Sequence, residues 1–167
     1  MRFVQAVSLA LMMIAVNTSH GFAAEHIVKV ITDNENGITA FEPKFLVVKK
    51  GDTVTWVNTV NDLHNVITYP DGFPAGSKGF ESPYLKQAGD KWSYTFEERG
   101  TYQYHCIPHI FMGMRGTITV DLPTRQNKFH KPSMDEIKSY RSKLLEFFDS
   151  EEFMIMPEAV KRNVTPK

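Results

Sequence analysis

Tyr104-His105-Cys106-Ile107-Pro108-His109-Ile110-Phe111-Met112-Gly113-Met114 is the stretch around which the rest of the chain organises. It holds the only cysteine of the protein, a histidine three residues further on and a methionine eight residues further on. Another histidine, His64, stands upstream in Asp62-Leu63-His64-Asn65. One thiolate, two imidazoles and a weak thioether are the donor set of a mononuclear copper site with three strong ligands and a long axial one. The candidate metal ligands are therefore His64, Cys106, His109 and Met114.

The spacing suits that chemistry. Cu(I) favours soft trigonal ligands and Cu(II) a tetragonal field, so a frame that barely moves between the two states allows fast electron exchange. Cys106, which must lose its proton to bind, closes a predicted strand and is held by the sheet. His109 follows on the loop, with Pro108 stiffening the approach by fixing its backbone angle. Met112 and Met114 both lie on the loop. Met114, just before the next strand, is favoured as the axial donor, and Met112 reads as a surface residue. His64 enters from a separate strand and anchors the loop to the body. Asn65 is placed to hydrogen-bond across to the ligand loop, and its N–H to reach the Cys106 sulfur, as groups behind a ligand commonly do. His105 points to the opposite face from Cys106 and reads as structural, while His20 and His130 read as bystanders. Ala24-Glu25-His26 would become a Cu(II)-chelating N-terminus if cleavage fell before Ala24, the weaker of the metal readings. Asn163-Val164-Thr165 matches a glycosylation acceptor by chance.

Outward from the loop, residues 26–122 alternate short apolar runs with turn signals. His26-Ile-Val-Lys-Val-Ile-Thr32 reads as a strand, followed by a turn at Asp33-Asn-Glu-Asn-Gly37. Strands are expected over 45–49, 53–58, 63–69, 91–96, 101–106 and 116–120, with Trp92, Tyr94 and Phe96 on one face. Residues 70–88, rich in Gly, Pro and Ser, read as a long loop holding a strand fragment. Seven or eight strands at this spacing predict an all-β sandwich or small barrel. Beyond Pro123 the period becomes helical. Ser133-Met-Asp-Glu136 is a capping box, and Ile137, Tyr140, Leu144 and Phe148 follow at helical spacing. A second short helix is expected over 157–164, with Pro157 in its first turn. The two apolar faces are expected to pack on the sandwich.

The first residues carry an address. Arg2 is the lone charge ahead of an apolar run over 7–16, with small residues at Gly21, Ala23 and Ala24. This is the pattern of a cleavable secretory signal, and the run is shorter than the roughly 20 residues that span a bilayer. Cleavage is expected after Ala23 or one residue later, with no lipid anchor, since no cysteine follows the run. The expected organisation is a signal peptide over 1–23, a β domain over 24–122 and a C-terminal helical extension over 123–167. Without Arg2 the chain has 18 basic and 19 acidic residues, which argues against binding nucleic acid or an anionic membrane. A single cysteine cannot form an internal disulfide, so in an exported chain it needs another explanation.

The loop from Cys106 to Met114 resembles that of the cupredoxins, the type 1 blue copper proteins, and most of all pseudoazurin. Phe41-Glu-Pro43, Gly51-Asp-Thr-Val54, His64-Asn65-Val66, Pro70-Asp-Gly72 and the two terminal helices are pseudoazurin-like, in the same order. Tyr104-His105-Cys106 and Met114-Arg115-Gly116 add amicyanin- and plastocyanin-like features. Ile107 departs from the pattern, standing where pseudoazurin-like chains usually have Thr. The resemblance covers about residues 26–160. It implies a Greek-key β-sandwich and one type 1 copper cycling between Cu(I) and Cu(II). It also implies a His109 imidazole edge exposed within a patch of Ile110, Phe111 and Met112. The function it implies is that of a soluble periplasmic electron carrier, not an enzyme, monomeric, serving c-type cytochromes, copper nitrite reductase or another periplasmic reductase or oxidase. The competing expectation is a periplasmic copper-handling protein that delivers or stores the metal. A catalytic copper protein is a third, disfavoured because an open site would lack the Met114 thioether.

Overall fold

A computed structural model describes residues 23–33, 36–122 and 130–156. Eight strands run in chain order as β1 (Glu25–Asp33), β2 (Ile38–Glu42), β3 (Phe45–Val48), β4 (Thr53–Asn58), β5 (Ile67–Thr68), β6 (Lys91–Thr95), β7 (Gly100–His105) and β8 (Arg115–Val120). They form two four-stranded sheets, β2-β1-β4-β6 and β3-β8-β7-β5. Both sheets are mixed: β1 runs parallel to β4 and β3 parallel to β8, while the remaining pairs are antiparallel. The architecture is the expected all-β sandwich, cupredoxin-like, with a two-helix extension.

The period-two pattern explains which residues lie between the sheets. Val28 and Val30 of β1, Val54 and Trp56 of β4, Tyr102 and Tyr104 of β7, and Ile118 and Val120 of β8 all point into one core. Trp56 is its hub, with ring centroids 5.4 Å from Tyr104, 5.5 Å from Phe80 and 5.5 Å from Trp92. Phe80 comes from the long loop over 70–88 and plugs the open side of the sandwich, so this loop is part of the core. Burying a side chain of this size contributes about 2–3 kcal/mol. Cys106 and Met114 belong to the same cluster, so the candidate site is the upper end of the core itself. Gly116 is required here: a Cβ would stand 2.3 Å from the Tyr104 ring.

Two strand expectations change. The predicted strand over 63–69 reduces to Ile67–Thr68, and His64 makes only a single bridge to Leu85. The physical reason lies in the backbone donors: the Asn65 N–H faces the Cys106 sulfur and the Val66 N–H donates to Ser82 Oγ at 2.8 Å, so neither enters a strand ladder. Strand β2, absent from the sequence reading, pairs with β1 across the turn ending at Gly37, whose φ of 64° is left-handed.

Helix α1 (Met134–Phe148) begins at Ser133 with both halves of the capping box: Glu136 N–H donates to Ser133 Oγ at 3.2 Å, and Ser133 N–H to Glu136 Oε2 at 2.7 Å. Tyr140 and Phe147 are its buried residues. A short helix α2 (Glu151–Met154), capped by Ser150, follows directly. The helix expected over 157–164 lies outside the described residues. The extension packs on the sandwich through two clusters: Leu63 with Phe147 and Met156, and Ile67 and Ile107 with Tyr140. His130 is no bystander. Its ring lies between Asp71 Oδ1 at 2.8 Å and Glu136 Oε1 at 2.9 Å, and its centroid is 4.6 Å from that of Tyr69. It pins the start of the extension to the sheet.

Candidate metal centre

His64, Cys106 and His109 come together at the end of the sandwich, their donor atoms all within 4.8 Å of one another. The Cys106 Sγ lies 3.7 Å from His64 Nδ1 and 3.6 Å from His109 Nδ1. The two rings are tilted by 39° to one another, with centroids 4.6 Å apart. Three donors from two separate segments thus face a common point, which is what a metal ion needs.

Backbone bonds hold the loop. Cys106 follows β7 directly, and its N–H donates to the Met114 carbonyl at 3.1 Å. The His109 carbonyl accepts from Met112 N–H at 3.1 Å and Met114 N–H at 3.3 Å. Residues Ile110–Met112 form a 3-10 turn that ends at Gly113 in the left-handed region, φ 78°, a conformation that glycine adopts without steric cost. The two ligand segments are tied by Asn65, whose Oδ1 accepts the Ile107 N–H at 2.8 Å, as the sequence suggested. Met114 is buried, and its thioether sulfur accepts from the Thr39 hydroxyl at 3.4 Å. Met112 is exposed.

Burial sets the protonation states. The His64 ring has no exposed surface, and desolvation drives its pKa down to about 3, with the neighbouring His109 adding to the effect. Burial also lowers His109, against the pull of Asp62. Both imidazoles are then neutral near neutral pH, the form that donates to a metal. Burial pushes the Cys106 thiol up to about 12, against the main-chain N–H groups of Asn65 and His109 that face the sulfur. A thiol this reluctant to ionise gives up its proton to an incoming cation, which couples metal binding to proton release. Two borderline nitrogen donors and a buried sulfur fit copper better than a hard, oxygen-seeking cation.

Sequence reasoning missed three groups here. Asp62 places Oδ2 3.7 Å from His64 Nε2 and 3.5 Å from His109 Nε2. Thr32 joins it, with Oγ1 3.3 Å from His64 Nε2 and 3.2 Å from Thr39 Oγ1. Nothing local marks Thr32 and Thr39, because strand pairing alone brings them under the site. Asp62 had a signal in its position two residues before His64. The other site-adjacent histidine, His105, is buried with its ring 4.3 Å from Tyr69 and 4.6 Å from Tyr140, in keeping with a structural role. His26 bonds Asp52 at 2.9 Å, far from this centre in the fold.

Residues 28–121 match the family model of copper binding proteins, plastocyanin/azurin family. The chain is similar to a plastocyanin from Scenedesmus fuscus, 40% identical over 89 residues that cover 52% of this chain and 91% of that protein. A plastocyanin from Nostoc punctiforme is 38% identical over 130 residues, covering 71% of this chain and 92% of its own. Among solved structures, a pseudoazurin from Sinorhizobium meliloti superposes with a TM-score of 0.51 at 27% identity, over 76% of this chain and 98% of that one.

Proposed function

This chain belongs to the plastocyanin/azurin family of copper-binding proteins, and we propose that it is a soluble periplasmic carrier moving single electrons between redox partners. The observation that carries this reading is the convergence of two imidazole Nδ1 atoms and one thiol sulfur within 4.8 Å, at the end of a closely packed core. One copper ion held by His64, Cys106 and His109, with Met114 as the long axial donor, would supply reversible one-electron chemistry.

The protein's share is to keep these donors still. Cys106 is fixed by its strand and by the Met114 carbonyl, and His64 by its bridge to Leu85. The ligand loop is locked to the His64 segment through Asn65. A frame this constrained changes little between oxidation states. His109 is the most accessible of the three clustered donors, its side chain 15% exposed. Beside it Phe111 and Met112 are 80% and 56% exposed. This small apolar rim favours brief docking over a lasting complex, with His109 as the group nearest the partner. The family is typically non-catalytic, and we assign no reaction to the chain. We place it in the periplasm on its export-type N-terminus, with c-type cytochromes, a copper nitrite reductase or another periplasmic reductase or oxidase as the partners to test. A copper-handling role is the competing reading. It is disfavoured by the burial of His64, Cys106 and Met114, since handing on a metal needs access to it.

The test is to load the protein with Cu(II) and record its visible spectrum and voltammogram beside Cys106→Ala. A strong band near the red end, lost in the variant, with a reversible potential is expected. A colourless protein, or copper binding that is identical without Cys106, overturns the assignment. Rapid transfer of copper to a chelator moves it to copper handling.

A further inference from the structure

Asp62 stands in an unusual relation to the centre. Both candidate imidazoles turn Nδ1 towards the Cys106 sulfur, at 3.7 and 3.6 Å. Both turn Nε2 outward, and the same carboxylate oxygen, Asp62 Oδ2, faces the two outer nitrogens at 3.7 and 3.5 Å. The carboxylate is itself held: its Oδ1 accepts the Leu63 N–H at 2.8 Å and its Oδ2 the Thr32 hydroxyl at 3.4 Å. Its side chain is only 13% exposed, and among the described residues the ion pairs that involve it are those with the two histidines. Leu63, next to it, is sealed under Phe147 and Met156 of the extension, so the segment cannot swing the carboxylate away.

We propose that Asp62 is a positioning residue of the metal centre. It holds both imidazoles in the Nε2–H form with Nδ1 free for the metal, and its charge biases the site towards the more highly charged metal state. The inference rests on the copper reading and deepens it. A proton on His64 Nε2 faces the Thr32 hydroxyl oxygen at 3.3 Å, which itself donates to Asp62, and at 3.7 and 3.5 Å the carboxylate attracts an Nε2 proton on either ring by its charge, whereas a proton on Nδ1 would leave a ring lone pair pointing at a carboxylate. Groups that orient a ligand through its second nitrogen commonly tune the metal as well. A negative charge this close to two ligands, and this poorly screened, favours Cu(II) over Cu(I). It also makes the exit edge at His109 acidic on one side and apolar on the other, where Phe111 and Met112 project.

The experiment compares wild type, Asp62→Asn and Asp62→Glu, each loaded with copper, by visible spectrum and by reduction potential. With the thiolate–copper band present in all three, Asp62→Asn is expected to raise the potential, equivalent to a fall of about ten- to a hundredfold in the Cu(II)-to-Cu(I) affinity ratio. Asp62→Glu, which keeps the charge, is expected to stay nearer wild type. Bands present with unchanged potentials would overturn the role of Asp62 and leave the copper reading intact. No band in any of the three, wild type included, would bring down the copper reading and this proposal with it. Nitrogen-15 spectra of the metal-free wild-type protein give a second measurement that needs no variant to fold. Nε2–H on both His64 and His109 is expected, and Nδ1–H on either ring would overturn the proposal.

Discussion

The ring of Tyr140, from the C-terminal helix, lies 4.6 Å from the ring of His105, the residue immediately before Cys106. Tyr140 also shares a buried cluster with Ile107, the residue immediately after Cys106. The extension therefore grips the cysteine from both sides along the chain, and Ile107 supplies the apolar surface that a threonine at this position would not. Replacing Tyr140 by Ala should cost about 3 kcal/mol of stability, the range for deleting a buried aromatic ring. It should also weaken copper binding, because the cysteine loses its backing. Tyr140→Phe separates packing from polarity. Among the described residues the buried Tyr140 hydroxyl has no hydrogen-bond partner, so its removal should leave stability within about 0.5 kcal/mol of wild type or raise it. Denaturant unfolding of the two variants, with copper titration, checks both outcomes.

A parallel contact works on the other ligand segment. Leu63, between Asp62 and His64, is fully buried against Phe147 and Met156. Leu63→Ala should cost about 3 kcal/mol, and Phe147→Ala a similar amount. Because the two share one cluster, the double variant should lose less than the sum, with a coupling of about 1 kcal/mol. A double-mutant cycle measures this directly. Strict additivity would mean that the helix does not support the His64 segment.

How much of this could be read in the sequence depends on the distance over which each interaction acts. The pairing of Cys106 with His109 was legible because the two sit three residues apart on a loop stiffened by Pro108. The capping box at Ser133 was legible for the same reason, since both of its bonds are local. The strand expected over 63–69 failed because apolar alternation cannot tell a paired strand from an extended segment whose backbone N–H groups bond side chains, as those of Asn65 and Val66 do. Strand β2 is hidden in the sequence because Ile38–Glu42 is short and one of its two buried positions is the polar Thr39. His130 looked idle, since its partner Asp71 is remote in sequence. Phe147 was passed over for Phe148, although it falls seven residues after Tyr140 and so on the same face. Asp62 could be seen beside His64, but its reach to His109 exists only in the folded chain.

Asn65 ties the His64 segment to the backbone of the ligand loop. Its Oδ1 accepts the Ile107 N–H at 2.8 Å in a buried setting. Asn65→Ala leaves that N–H without a partner, which should cost about 2 kcal/mol. The effect on the centre should exceed the effect on the fold, because the loop then moves independently of His64. A broadened or shifted thiolate–copper band and faster copper loss to a chelator are expected. An unchanged spectrum with lowered stability would confine Asn65 to a purely structural part.

Acid sensitivity should come in part from the far end of the molecule. Asp52 accepts main-chain N–H groups from Ala24 at 2.8 Å and Lys49 at 2.9 Å, and its other contact is His26 Nε2 at 2.9 Å. Burial alone would raise its pKa, but these bonds outweigh burial and hold it at about 2. An aspartate in the unfolded chain titrates near 3.9, so the folded value is depressed. Asp52 therefore contributes its full stability above about pH 4 and loses it as the pH falls towards 2. The melting temperature of the wild type should drop across that window more steeply than that of Asp52→Asn, which cannot ionise and is less stable at neutral pH. Two curves that stay parallel from pH 5 to pH 2 would show that the bonds to Asp52 do not discriminate between its charged and neutral forms, and would shift the acid response to the other carboxylates.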